Sequence, residues 1–314
     1  MRPTHDLAAS PDNVHWGYFD ASLPPVLDIE SGDKVMLTSV SGGPEVVPNS
    51  GFFVPDALHD IHASVQQKLQ GHILTGPVAV RGARPGHVLE VRIHDIQLVQ
   101  DWGYNAIRPL AGALPDDFTE TRLMTIPLDA DRGVATLPWG TELRLQPFFG
   151  VMGVAPPREW GAITSIIPRR HGGNLDNKEL GAGATLYLPI HVEGALFSAG
   201  DGHGAQGDGE VCVTAIETAL KGTFELILRK DLSLSMPRAE TPTHFITMGL
   251  DPDLDDAATE AVRDMIALIC ERTNLSAEDA YTLCSLAADL RVTQIVNHHK
   301  GVHMMLEKSL VRGP

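Results

Sequence analysis

The sequence has few cysteines. It contains three cysteines, Cys212, Cys270 and Cys284, which are widely separated and never stand in a Cys-x-x-Cys spacing. An odd number of scattered cysteines indicates neither a disulfide framework nor a thiolate zinc site. A metal ion bound by this chain would therefore have histidine and carboxylate ligands.

Long apolar runs and clusters of basic residues are also missing. No window approaches the ~20 apolar residues of a membrane-spanning helix, and the opening "MRPTHDLAASPDNVHW" has no apolar run of signal-peptide length. The formal net charge is −16, and no basic cluster is longer than the pair Arg169-Arg170. The sequence therefore offers no basic patch for binding the phosphate backbone of a nucleic acid. We expect a cytoplasmic protein that binds neither nucleic acid nor membranes.

The sequence does contain enough apolar residues for a large core, since they make up 43% of 314 residues. From Asp33 to about Leu145, short apolar runs are punctuated by Gly, Pro, Asp and Asn. In "HVLEVRIHDIQLV" (87–99), Leu89, Val91 and Ile93 alternate with a second set of residues, the pattern of a strand with one buried face. The first part of the chain is therefore predicted to be mainly β.

The later part of the chain mixes strand and helix patterns. "EVCVTAIETAL" (210–220) and "GTFELILRKDLSL" (222–234) each predict a strand, compatible with a hairpin near Lys221-Gly222. A first helix is indicated by apolar residues at helical spacing, Val262, Met265, Ile266 and Ile269. A second helix begins after the N-cap candidate Ser276, and its apolar candidates are Tyr281, Leu283, Leu286 and Leu290. "RVTQIVNHHKGVHMML" (291–306) returns to strand.

These patterns predict a β-rich α+β fold. Residues 1–150 are expected to form a mainly β domain, an antiparallel β-sandwich or barrel-like part. Residues 151–314 are expected to form an α+β part with two C-terminal helices, and this part carries the metal or active-site loops because its Gly- and Pro-rich stretches lie between strands.

Two of these stretches concentrate acid and imidazole: "HGGNLDN" (171–177) and "GDGHGAQGDGE" (200–210). Residues two apart in an extended segment share a face, so Asp201 is expected beside His203, and Asp208 beside Glu210. Imidazole and carboxylates suit zinc or another divalent ion. Turn formation explains any single Asp or Asn next to glycine, but the density of donors in both stretches favours a metal or catalytic site.

Three further stretches accompany these two: "HILTGPVAVRGARPGHVLEVRI", "PFFGVMGVAPP" and "SAEDAYTLCSLAADLRVTQIVNHHKGVHMMLEK". Through these stretches the sequence closely resembles the acetamidase/formamidase family over nearly the whole chain. The resemblance implies hydrolysis of formamide, acetamide and other short amides to carboxylate and ammonia, with zinc or calcium bound, on a β-rich fold. His87 stands where the family often has an acidic residue, at a predicted turn before a strand. The substrate stays open because one fold and metal site can serve several amide-like substrates.

Hydrolysis of an amide requires a polarised carbonyl, a strong nucleophile and a proton for the departing amine. A metal that activates a water supplies the first two, and a carboxylate supplies the third. We predict a divalent metal, zinc more than calcium, on Asp176, Asp201 and His203. Glu210 is expected to be either a fourth ligand or the general base, and the two amide side chains, Asn174 and Gln206, are expected to orient the substrate amide.

Several further residues have weaker assignments. The resemblance also has a histidine at the position of His72, which joins the catalytic candidates, although a surface or core role explains it equally well. For His15 and Trp16 the resemblance favours a role in the pocket, and simple packing is the alternative. His298 and His299 are adjacent and receive no role. Cys212 is the rival nucleophile, but a thiolate would need a partner base and a lowered pKa.

Two other functions remain open. The same site is suited to hydrolysis of a cyclic amide, a lactam. Alternatively, a non-catalytic β protein could use the metal to bridge a carbohydrate or carboxylate ligand, although an aromatic content of 5% disfavours a sugar-binding face. We expect a small amide substrate and a homo-oligomer, at least a dimer, since symmetric assemblies are common among soluble enzymes.

Overall fold

A computed structural model describes residues 2–311. The α-helices are α1 (Asp56–Ser64), α2 (Leu254–Arg272) and α3 (Ala277–Ala287), and short 3₁₀ turns span Pro44–Val46, Arg158–Trp160 and Lys308–Leu310. The strands are β1 (Thr4–Leu7), β2 (Val14–Trp16), β3 (Tyr18–Phe19), β4 (Leu27–Ile29), β5 (Asp33–Thr38), β6 (Ile73–Val80), β7 (Val88–Leu98), β8 (Trp102–Ile107), β9 (Arg122–Asp129), β10 (Val134–Thr136), β11 (Glu142–Arg144), β12 (Phe148–Gly153), β13 (Ile163–Thr164), β14 (Gly172–Asn174), β15 (Thr185–Pro189), β16 (Phe197–His203), β17 (Glu217–Thr218), β18 (Leu220–Arg229), β19 (Arg238–Glu240), β20 (His244–Asp251), β21 (Asp289–Gln294) and β22 (Lys300–Glu307).

Two large sheets organise these strands. The first has nine strands in the order β1-β5-β18-β7-β15-β19-β20-β22-β21. The second has eleven, in the order β11-β10-β9-β8-β17-β16-β12-β14, with β6 joined to β16 and both β2 and β4 joined to β6. Both sheets contain strands from before and after residue 150, so they cross the boundary predicted between 1–150 and 151–314, and that division stays a prediction. The β-rich α+β fold class is confirmed.

The core lies where side chains from the two sheets meet. Phe149 of β12 and Phe197 of β16 pack edge-to-face on Phe224 of β18, with ring centroids 5.2 and 5.8 Å apart. All three rings are fully buried. A buried Phe contributes roughly 1.5–3 kcal/mol by burial alone, and edge-to-face geometry adds to that. The strands that carry the polar site are thereby fixed from behind by an apolar cluster.

Helices α2 and α3 cover β20 and β22 through a second apolar cluster. The acidic run before α2 acts as a helix start, since the Asp253 side chain accepts the backbone N–H groups of Asp255 and Asp256. The predicted apolar face is present, with Met265 and Ile269 fully buried. Within residues 2–311, no helix has the combination of length and apolarity that crossing a bilayer demands.

The predicted apolar face of the second helix is largely wrong, since of its four residues only Leu283 packs against the apolar cluster. Ser276 does cap α3, since its hydroxyl accepts the Asp279 N–H. However, Tyr281 and Leu286 are 61% and 80% exposed, and the buried positions are the smaller Ala280 and Cys284. These small residues belong to the cluster shared with α2, which indicates that close packing of the helices selects them over the larger apolar side chains.

The predicted strand 210–220 is also largely wrong. The chain is irregular from 211 to 216, and within 210–220 the strand residues are Glu217, Thr218 and Leu220, the first residue of β18. Left-handed backbone at Glu210 (φ +44°) and Val213 (φ +82°) interrupts the extended conformation. No hairpin turns at Lys221-Gly222, because both residues lie inside β18.

Candidate metal and active site

Four carboxylates surround one imidazole inside the second sheet. The Nε2 atom of His203 lies 3.2 Å from Asp201 Oδ2, 3.3 Å from Glu217 Oε2 and 3.9 Å from Asp176 Oδ1. Two overlapping groups, Asp176/His203/Glu210 and Asp201/His203/Glu217, each place their ligand atoms within 4.8 Å of one another. Each of the five residues is at most 5% exposed.

Strand pairing explains how these residues meet. His203 ends β16, where it stands opposite Phe148 of β12 on one side and Glu217 of β17 on the other. Asp176 follows β14, which pairs with the far edge of β12, and Glu210 lies in the loop after β16. We refer below to Asp176, Asp201, His203, Glu210 and Glu217 as the carboxylate cluster.

Three carboxylates of the cluster sit on strained backbone. Asp176, Asp201 and Glu210 have φ angles of +46°, +57° and +44°. A non-glycine residue pays about 1–2 kcal/mol in this left-handed region, Asp less than Glu. Such strain persists where the surrounding structure enforces it, and it concentrates at functional sites. Here it turns side chains from three chain segments toward one point.

Gly150 of β12 leaves the centre of the cluster open. A Cβ atom at this position would lie 2.5 Å from Asp176 Oδ1, 2.6 Å from Asp201 Oδ2 and 2.9 Å from His203 Cε1. Any side chain there would occupy the space between the donor atoms. The glycine therefore keeps a small volume free at the point on which the polar atoms converge.

Burial and mutual interaction shift the pKa values of the cluster in different directions. Burial raises the pKa of Asp176 to about 6 and that of Glu217 to about 7, each partly offset by His203. Burial and the neighbouring Asp176 raise the pKa of Glu210 well above its ordinary value. For Asp201, burial is outweighed by His72 and His203, which hold its pKa below the usual range. For His203, burial is outweighed by Glu217 and Asp201, so its pKa is raised.

A divalent cation fits this arrangement. Three buried atoms have no hydrogen-bond partner in the described part of the chain, Asp176 Oδ1, His203 Nε2 and Glu210 Oε2, and buried polar atoms normally have one. The carboxylates outnumber the imidazole, so a positive ion among them would reduce their mutual repulsion. The cluster therefore contains groups that can bind a metal ion, and the free space beside Gly150 lies among their donor atoms.

Gln206 lies behind His203. Its Oε1 accepts a hydrogen bond from His203 Nδ1 at 2.9 Å, and its Nε2 donates to the Asp176 carbonyl at 2.7 Å. This contact keeps the proton on Nδ1 and directs Nε2 into the cluster. Both ends of the amide are engaged within the protein, so the geometry favours a positioning role for Gln206 over the predicted contact with a substrate amide.

Asn174 and His72 differ in their contacts and in their exposure. Asn174 donates to the Ile166 carbonyl at 3.0 Å, and its buried Oδ1 has no partner among residues 2–311. His72 is brought to the site: its Nε2 lies 3.7 Å from Asp201 Oδ2, its Nδ1 contacts Ser165, and a quarter of its side chain is exposed. His72 is therefore the more accessible member of the group, and Asn174 offers a free acceptor.

Other candidates lie elsewhere. His15 is a satisfied core residue, since Nδ1 donates to the Tyr18 carbonyl and Nε2 pairs with Ser198. Asp208 does not share a face with Glu210, which corrects the predicted pairing. It is bound instead by Arg291 and Lys178.

Trp16, His298 and Cys212 make contacts away from the carboxylate cluster or are exposed. Trp16 donates to the Gly71 carbonyl, and His298 is exposed in a turn with φ +62°. The hydrogen-bond neighbours of Cys212 are Asn105 and Thr214, and neither is a base. The sulfur therefore lacks the partner that a nucleophilic thiolate requires.

Sequence analysis missed two residues of the site. Glu217 was placed in a predicted strand without a role, and the signal that would reveal it is its pairing opposite His203. Asn297 donates from Nδ2 to Asp176 Oδ2 at 2.5 Å across 121 residues of sequence. No local pattern reports a contact over that separation.

Comparison with known proteins places the chain in one family. The family model described as "Acetamidase/Formamidase family" matches residues 3–164 and 159–306. The formamidase of Methylophilus methylotrophus is 29% identical over 249 residues, which cover 63% of this chain and 60% of the relative. The acetamidase of Mycolicibacterium smegmatis is 30% identical over 199 residues, 45% of this chain and 49% of the relative. The matched part thus spans about half to three fifths of these curated relatives.

A solved structure matches over a greater length. The crystal structure of an acetamidase from Bacillus halodurans superposes with a TM-score of 0.84 at 33% identity, covering 97% of this chain and 98% of that one. The likeness therefore includes both sheets and the strands that carry the carboxylate cluster. With the family model matching on both sides of residue 160, the chain belongs to the acetamidase/formamidase family.

Proposed function

We propose that this protein hydrolyses short-chain amides of the formamide and acetamide type to carboxylate and ammonia at a site that requires a divalent metal. The observation that carries the proposal is the buried carboxylate cluster around His203, open at Gly150. Membership of the family, and relatives named formamidase and acetamidase, support the amide as substrate.

The ligands we propose are His203, Asp176, Asp201 and, in addition to those expected from the sequence, Glu217. A mixed imidazole and carboxylate set without sulfur is suited to zinc, with calcium the alternative for a site of oxygen donors. When bound, the ion supplies polarisation of the amide carbonyl and a water whose pKa is lowered to near 7. The chain itself provides the orientation and the proton transfers.

Glu210 is the group we propose for proton transfer. Within residues 2–311 its Oε2 has no hydrogen-bond partner, and its carboxyl lies in the same group as Asp176 and His203. A carboxyl with a free oxygen beside the proposed ligands is placed to take a proton from water and later give it to the departing nitrogen. Asn174, with its free Oδ1, would accept the amide N–H, and His72 would contact the substrate from the exposed edge.

The decisive experiment measures ammonia release from formamide, acetamide, propionamide and the lactam 2-pyrrolidinone, before and after chelation and with zinc or calcium added back. We expect release from the short linear amides, its loss with chelator and its return with one of the metals. Preferential turnover of the lactam would favour the second enzymatic function. A protein that binds about one ion per chain but releases no ammonia would favour a non-catalytic binding role.

Full amidase activity in metal-free protein would refute the metal-dependent reaction outright.

We also propose that the protein is at least a dimer, as is common for soluble enzymes. Light scattering at micromolar concentration measures this directly, and a monomeric mass would contradict it.

A further inference from the structure

The loop between β21 and β22 reaches the carboxylate cluster from the C-terminal end of the chain. Its Asn297 is 4% exposed and donates to Oδ2 of Asp176, which is 1% exposed. The other oxygen of the same carboxylate, Oδ1, lies 3.9 Å from His203 Nε2 and has no hydrogen-bond partner among the residues that the structure describes. One amide thus occupies one oxygen of Asp176 and leaves the other facing the cluster.

A single buried side chain shapes this loop. Gln294, fully buried, accepts the backbone N–H groups of Val296 and Asn297 on its Oε1. Its Nε2 donates to the His299 carbonyl at 2.8 Å. The backbone around Asn297 is therefore held from inside the loop, so its side chain reaches Asp176 with few alternative conformations.

The same hairpin also contacts the segment that carries Glu210. The Gly209 N–H donates to the Thr293 carbonyl at 3.0 Å, and the Ile295 N–H donates to the Gly209 carbonyl at 3.2 Å. Gly209 directly precedes Glu210. The hairpin therefore touches two of the segments that contribute carboxylates, one through a side chain and one through the backbone.

An ion-pair bridge reinforces this contact near the start of β21. Arg291 donates to Glu179, three residues after Asp176, and to Asp208, two residues before Glu210. These distances are 2.6–2.9 Å. One guanidinium thus links the loops on which Asp176 and Glu210 stand, which fixes their separation more firmly than either loop would alone.

We infer that Asn297 is a positioning residue for the metal site, and that the β21–β22 hairpin holds Asp176 in the orientation that presents Oδ1 to the ion. An aspartate carboxylate rotates about its Cβ–Cγ bond unless its oxygens are bound. Removing a side chain that hydrogen-bonds to a metal ligand typically lowers ion affinity or activity ~10–100-fold. This inference rests on the proposed metal-dependent function.

The test compares Asn297→Ala with the wild type and with His298→Asn as matched control. His298 lies in the same loop, is exposed, and has a left-handed backbone that Asn tolerates well. Binding of Co²⁺ and Zn²⁺ to metal-free, full-length protein would be measured by competition with a chromophoric chelator, with the visible spectrum of Co²⁺ as a report on ligand geometry. Thermal unfolding of the metal-free proteins is recorded alongside.

We expect Asn297→Ala to weaken ion affinity ~10–100-fold and to alter the Co²⁺ spectrum. At saturating ion, its KM for amide should stay near the wild-type value. His298→Asn should match the wild type in every measurement. Asn297→Leu, which preserves more volume, should behave as Asn297→Ala does and decides the question if the alanine variant does not fold.

The outcomes separate the two levels of the proposal. A wild type that binds neither ion refutes the proposed metal-dependent function. A wild type that binds ion, with a folded Asn297→Ala or Asn297→Leu variant of equal affinity, overturns only the role of Asn297. Failure of both variants to fold without metal also overturns it, because Asn297 would then be required for folding and not for placing Asp176.

Discussion

Replacing Gly150 with alanine would put one methyl group at the centre of the carboxylate cluster. Its Cβ would stand 2.5 Å from Asp176 Oδ1 and 2.6 Å from Asp201 Oδ2, so each oxygen would have to retreat by about 0.8–0.9 Å to reach an ordinary contact of 3.4 Å. The φ angle of Gly150 is outside the left-handed region, so alanine itself is compatible with this backbone. The disturbance should therefore be confined to the donor atoms.

The expected size follows from that displacement. A misplacement of roughly 1 Å at a reacting centre can cost about 100-fold in rate, and overpacking a closed interior costs ~1–3 kcal/mol of stability. We expect Gly150→Ala to fold, to lose most of its bound divalent ion and to release ammonia from formamide at least about 100-fold more slowly. Ion content, ammonia release and denaturant unfolding measure the three effects.

Gly207→Ala is the matched control. Gly207 lies in the loop between His203 and Glu210, outside the left-handed region, and a Cβ there meets no atom within 4 Å. This variant should keep wild-type ion content and activity. If folded Gly150→Ala did the same, the space beside Gly150 would not be where the ion or substrate binds, and the reasoning from this glycine would be refuted.

Three further predictions concern the roles of single residues. His203→Ala should lose ion and activity together, whereas Glu210→Gln should keep the ion and lose roughly 10²–10⁴-fold in turnover; equal ion loss in both would make Glu210 a ligand. Cys212→Ser should retain near-wild-type activity, and a folded, metal-replete variant without activity would instead indicate thiolate catalysis. Burial lowers the pKa of His171 to about 3, so the unfolded chain gains a proton below pH 6.5 that the folded chain does not bind. Relative to the wild type, His171→Leu should therefore become more stable by about 1 kcal/mol between pH 6.5 and 5.5, and denaturant unfolding at the two pH values would reveal an unchanged difference if this is wrong.

Local periodicity was sufficient for elements whose own side chains determine their packing. The alternation in β7 correctly predicted that Leu89, Val91 and Ile93 are buried. Glu90 is buried as well, on the opposite face, where Arg92 and Arg229 pair with it. The pattern reports which side chains prefer the interior, and it contains no information about a partner on another strand, such as Arg229 of β18 for Glu90.

The segment after residue 209 shows the limit of such patterns. Its alternating apolar residues are typical of a strand, but the chain turns at Glu210 and Val213 through left-handed backbone. A preference for extended structure was overridden there by tertiary contacts, such as the Asn105 side chain donating to the Thr214 and Ala215 carbonyls. Sequence patterns express an average preference and do not include constraints of this kind.

For the site, the density of donors in two short stretches was informative. Asp176, Asp201, His203 and Glu210 do converge. Glu217 enters the cluster only because the register of β16 and β17 sets it opposite His203. Registers and contacts across more than a hundred residues arise from the whole fold, so no single stretch could have predicted them.

The left-handed backbone of Asp176, Asp201 and Glu210 has a consequence for attempts to improve this protein. Glycine or asparagine relaxes that conformation at little steric cost, so replacements at these positions can be selected for the stability they release. A variant library screened by heat resistance alone would therefore enrich substitutions that dismantle the cluster. Directed evolution of this chain should couple every stability screen to a measurement of turnover.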